Sequence, residues 1–91
     1  MGSEFTYPTL GLMGEAGEIA NKLKKVVRDN GGLLTEAVKE SVKDELGDCL
    51  WYIAQLATEM GADLDGIAQR NIDKLASRKE RGVLTGSGDN R

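Results

Sequence analysis

Thr35-Glu36-Ala37-Val38-Lys39-Glu40-Ser41-Val42-Lys43-Asp44-Glu45-Leu46-Gly47-Asp48-Cys49-Leu50-Trp51-Tyr52-Ile53-Ala54-Gln55-Leu56-Ala57-Thr58-Glu59-Met60 is the stretch that decides the fold. Val38, Val42, Leu46, Cys49, Ile53, Ala57 and Met60 recur in steps of four and three, the repeat of a helix with one apolar stripe. Thr35 is a natural N-cap, Glu36 follows it, and Gly61 stops the run, so the spacing predicts a helix over 35–60. The segment from Leu46 to Ala54 is apolar on nearly every side, which a helix wet on one face would not be. A short chain cannot wrap such a segment alone. The expectation is a helical bundle shared between copies, with homodimer and homotetramer both satisfying the pattern.

Working outward, Leu12, Ala16, Ile19, Leu23, Val26 and Val27 predict a first helix over about 9–28, stopped by Asn30-Gly31-Gly32. Ile67, Ala68, Ile72, Leu75 and Ala76 predict a third over about 64–81, capped by Asp63 or Asp65 and closed by Gly82. Residues 83–91 are glycine-rich and read as an irregular tail. No strand alternation occurs, so the class is all-α, a three-helix chain. Met1-Gly2-Ser3-Glu4-Phe5 reads as a translated cloning junction, leaving 6–91 as one domain.

Twelve basic against fifteen acidic residues give a net charge of -3, which provides no general attraction for nucleic acid or an acidic membrane. No apolar run reaches the roughly 18 residues of a membrane span and no signal pattern opens the chain, so the expected compartment is cytoplasmic. Cys49, alone of its kind, reads as a small buried thiol in the apolar run.

Glu15-Ala16-Gly17-Glu18 and Glu45-Leu46-Gly47-Asp48 both read Glu, apolar, Gly, acid. Residues three apart on a helix are neighbours, so each segment presents two carboxylates to one side, at matching angles from its apolar stripe. Antiparallel packing of the two helices would gather all four. Like charges near 4 Å cost about 4 kcal/mol per pair at an effective dielectric near 20, and a divalent cation removes that cost. All-oxygen donors select Mg²⁺, or Mn²⁺, over zinc. An interior helix glycine costs roughly 1 kcal/mol relative to alanine, and Gly17 and Gly47 are expected to let helices or a ligand approach closely. The plainer alternative is two solvated Glu pairs.

Asn71, Lys74, Arg78 and Arg81 form one polar stripe on the third helix, suited to polyphosphate oxygens or, more simply, to solvent and the helix dipole. Lys22 lies further along the flank that carries Glu15 and is within reach of a phosphate. Tyr52 has the matching offset after Glu45, where its hydroxyl either bonds substrate or points into an interface. Trp51 and Tyr52 are able to stack on a base, but helical spacing makes core the expectation for Trp51.

Leu10-Gly11-Leu12-Met13-Gly14-Glu15-Ala16-Gly17-Glu18, Asp44-Glu45-Leu46-Gly47-Asp48, Asn71 with Lys74-Leu75 and Arg78, and the ending Gly86-Ser87-Gly88-Asp89-Asn90-Arg91 together resemble the MazG-like nucleotide pyrophosphohydrolases. The resemblance runs from about Thr6 to the end. It implies Glu15, Glu18, Glu45 and Asp48 as metal ligands, with Asn71, Lys74 and Arg78 holding the triphosphate. It further implies hydrolysis of a nucleoside triphosphate between the α- and β-phosphates, in a bundle of at least two subunits. Many members read E-E-x-x-E in the first motif, where this chain has Gly14, and many carry a further helix ahead of it.

The sequence has no histidine, so a general base would be a carboxylate, Glu18 or Glu45. Two competing expectations remain: a helical oligomerisation or nucleotide-binding module without chemistry, and a phosphohydrolase for another nucleotide.

Overall fold

The computed structural model describes residues 4–82. Its helices are α1 (Thr6–Asn30), α2 (Glu36–Glu59) and α3 (Leu64–Arg81), with no strand among the described residues. The tail read over 83–91, like Met1–Ser3, lies outside them.

The stops and starts follow local chemistry. Gly31 closes α1 at φ 60°, a left-handed conformation, and its N–H returns to the Val26 carbonyl. Thr35 caps α2, its Oγ1 accepting the Val38 N–H at 3.2 Å. Asp63, rather than Asp65, caps α3 by accepting the Gly66 N–H at 2.7 Å. Gly82 ends α3 in the same left-handed region, at φ 72°. The largest departure from the expected boundaries is the start of α1, which begins at Thr6, before Pro8, and the same helix runs on to Asn30, two residues past the expected 28. In the first turn a missing N–H leaves no helical hydrogen bond unmade, so proline is tolerated there.

The short turn after Asn30 folds α2 back along α1. Contacts from Tyr7 to Tyr52 at one end and Lys22 to Glu45 further along fix the pair as antiparallel. α3 packs on α2 alone and makes no packing contact with α1. The molecule is accordingly flat, 43 × 41 × 19 Å, with a radius of gyration of 16.5 Å against about 12 Å for a compact chain of this length.

Its core is thin. Among the described residues the buried apolar side chains are Pro8, Val26, Cys49 and Ala57, which places the Cys49 thiol where the sequence put it. Leu10, Met13, Val27, Leu46, Leu50, Met60 and Ile72 are all exposed. Leu46, Met60 and Val27 belong to the expected apolar stripes, yet none of the described residues covers them. Trp51, expected as core, is 55% exposed, because α3 packs elsewhere on α2.

Candidate metal centre

Two polar rows face each other across the α1–α2 seam. On α1, Tyr7, Gly11, Glu15, Glu18 and Lys22 follow one another in steps of four and three; on α2, Ser41, Glu45, Asp48 and Tyr52 do the same. Antiparallel packing sets Tyr7 and Gly11 against Tyr52, Glu15 against Asp48 and Glu45, and Lys22 against Glu45 and Ser41.

At the centre, one carboxylate oxygen each from Glu15, Glu45 and Asp48 lies within 4.8 Å of the others. The Glu45 side chain is only 13% exposed. Desolvation, followed by the charges of Glu45 and Asp48, holds the Glu15 carboxyl above its ordinary value, and a hydrogen bond with Glu45 and the charge of Glu18 add to this. Lys22 supplies the one ion pair made by these three acids among the described residues, its Nζ 3.6 Å from Glu45 Oε2, and the same ammonium donates to Ser41 Oγ. Three hard oxygen donors from two helices, mutually repelling, make a cluster of the chemistry that a divalent cation takes.

Glu18 does not join that group. It is exposed on α1, although its charge still reaches Glu15. Drawing a fourth carboxylate inward against three others needs a cation to oppose the repulsion.

Glu15, Asp48, Trp51 and Tyr52 line an open cleft of about 210 Å³. Trp51 and Tyr52 meet edge to face, ring centroids 5.2 Å apart at 80°, and Tyr7 meets the Tyr52 ring at 5.9 Å and 63°. A hydrogen bond with Tyr7, then burial, raises Tyr52 above the usual phenol value, and the Glu15 and Asp48 charges add to the shift.

The stripe on α3 lies elsewhere. Asn71 and Lys74 line a groove of about 580 Å³ with Leu50, Ile53, Leu64 and Ile67. Leu50 and Ile53 lie roughly 140° around α2 from the face of Glu45, Asp48 and Tyr52, so this groove and the carboxylate cleft open on different sides. Arg78 is buried near the end of α3, 6% exposed.

The glycines exchange roles. A Cβ on Gly17 or Gly47 would meet nothing within 4 Å, so neither permits close approach within the chain. Gly11 does, because a Cβ there would fall inside the Tyr52 ring. Sequence reasoning missed Gly11, Tyr7 and Ser41 as parts of this seam. Their signal was present: each stands four residues from another member of its own row.

An all-α antiparallel hairpin with convergent carboxylates from both helices defines the class, a scaffold able to hold a hard divalent cation. The chain belongs to the MazG nucleotide pyrophosphohydrolase domain family, which matches residues 5–83. It is 55% identical over 86 residues to the Gene 37 protein of Mycobacterium phage L5, an alignment covering 94% of this chain and 75% of that protein. No solved structure matches it. Among the described residues no helix is long and apolar enough to cross a membrane.

Proposed function

We propose that this chain is a Mg²⁺-dependent nucleoside triphosphate pyrophosphohydrolase, cleaving a (d)NTP with water between the α- and β-phosphates to a nucleoside monophosphate and pyrophosphate. The observation that carries the reading is the convergence of Glu15, Glu45 and Asp48 from two helices. Those three would hold the cation, with Glu18 turning inward as a fourth ligand. Bound Mg²⁺, or Mn²⁺, supplies neutralisation of the phosphate oxygens and an acidified water. With no histidine in the chain, a carboxylate, Glu18 or Glu45, takes the proton of the attacking water.

Lys22, anchored by Ser41 beside Glu45, is close enough to exchange its carboxylate partner for a phosphate. Tyr52 and Trp51 form the cleft wall against which the nucleotide rests. Asn71 and Lys74 bind the triphosphate from a second copy of the chain, because the α3 groove they line faces away from the chain's own carboxylates, whereas Arg78, expected with them from the sequence, is buried in this chain and stands outside that groove. The assembly is a homodimer or homotetramer, joined through the exposed apolar residues of α1, α2 and α3.

The test is pyrophosphate release from a panel of dNTPs with Mg²⁺, comparing the parent with Glu45→Ala and Asp48→Ala. Each substitution is expected to lower kcat/KM by at least the roughly hundredfold that loss of an outer partner of a metal site costs. Activity surviving either one overturns the mechanism, and release of single phosphates instead of pyrophosphate assigns a different phosphohydrolase. The breadth of exposed apolar surface favours one second reading, a helical association module of the same fold without chemistry; inactivity toward every nucleotide in the panel would select it.

A further inference from the structure

Gly11 is the one helical glycine in the α1–α2 seam whose missing side chain is filled by a neighbour. The neighbour is the ring of Tyr52, a wall of the carboxylate cleft. An interior glycine weakens a helix relative to alanine, so its place four residues before Glu15 needs a compensating contact. One turn earlier, Tyr7 meets the same ring edge to face, ring centroids 5.9 Å apart. Tyr52 is thus held from below by backbone and from one side by a second ring, while its free face turns to the cleft with Glu15, Asp48 and Trp51.

We propose that Gly11 and Tyr7 are positioning residues that seat Tyr52 as a fixed wall for the bound nucleotide, a role that rests on the pyrophosphohydrolase reading above. Neither touches the reacting phosphates. Both act through the ring, so their loss weakens substrate binding and leaves the hydrolytic step nearly intact. Gly11→Ala pushes the ring into the cleft. Tyr7→Ala removes the edge contact and leaves the Gly11 backbone in place.

The experiment is a double-mutant cycle between positions 11 and 52, read by steady-state kinetics with a dNTP and Mg²⁺ and by emission of Trp51, the only tryptophan in the sequence. Gly11→Ala is expected to raise KM about tenfold with kcat within about threefold, and to shift Trp51 emission. In a Tyr52→Ala background the same substitution has room, and it is expected to change KM by less than about twofold and leave emission unmoved. If circular dichroism finds Gly11→Ala unfolded, Tyr7→Ala carries the test: a KM rise of about threefold is expected, absent in a Tyr52→Ala background.

An active parent whose KM ignores Gly11→Ala, or a KM rise of equal size with and without the Tyr52 ring, overturns the seat while leaving the hydrolase reading standing. A kcat loss at unchanged KM also overturns it. An inactive parent overturns the hydrolase reading, and the nucleotide wall with it.

Discussion

Glu15 shows how one side chain registers the whole centre. Its carboxyl holds a proton more tightly in the folded chain than in the unfolded one, through desolvation first and then the charges of Glu45 and Asp48. A carboxyl raised on folding contributes stability that is present below the unfolded value, 4.5, and lost as pH rises through the folded one. The metal-free chain is therefore expected to lose the stability contributed by Glu15 as pH is raised above about 4.5. Glu15→Gln should flatten that part of the Tm profile and raise the metal-free Tm at pH 7. It should also abolish the Tm gain on adding Mg²⁺, as calorimetry at several pH values would reveal. A Glu15→Gln chain that keeps the parent's pH slope and Mg²⁺ response would separate Glu15 from any cation. Three of the four acids named from spacing converge, because a matched offset on antiparallel helices is a geometric statement that sequence can make. The outward position of Glu18 was not legible, since it depends on repulsion from three charges whose exact approach is a tertiary fact.

At the scale of the helices, boundaries were legible wherever a single residue sets them. Thr35, Asp63 and Gly82 act where the sequence placed them, because a side-chain oxygen accepting an N–H, or a glycine at positive φ, is local chemistry. The start of α1 was not, because its apolar repeat begins only at Leu12 and a proline ahead of it usually marks a boundary. Thr35→Ala and Asp63→Ala are each expected to cost about 1 kcal/mol, a Tm drop of roughly 4–8 °C. The Asp63 variant should loosen mainly α3, whose amides would exchange faster than those of α2, since α3 is tied to the rest through α2 alone. Equal acceleration along all three helices would mean that α3 unfolds only with the whole chain.

For the molecule as a whole, a flat shape and a thin core leave Leu50 and Ile72 more than half exposed. The continuously apolar middle of α2 announced an uncovered face in the sequence, but which face α3 takes and which it leaves was not readable from periodicity alone. Leu50→Asp is expected to reduce the mass seen by light scattering to that of one chain and to suppress hydrolysis while Mn²⁺ binding persists. An assembly of unchanged mass in that variant would remove Leu50 from the contact. Carboxylates on one side of α2 and the Asn71–Lys74 groove on another also make the proposed site divisible. Two separately dead proteins, Asp48→Ala and Lys74→Ala, should therefore revive one another when unfolded together and refolded as a mixture, each lending the half that its companion has lost.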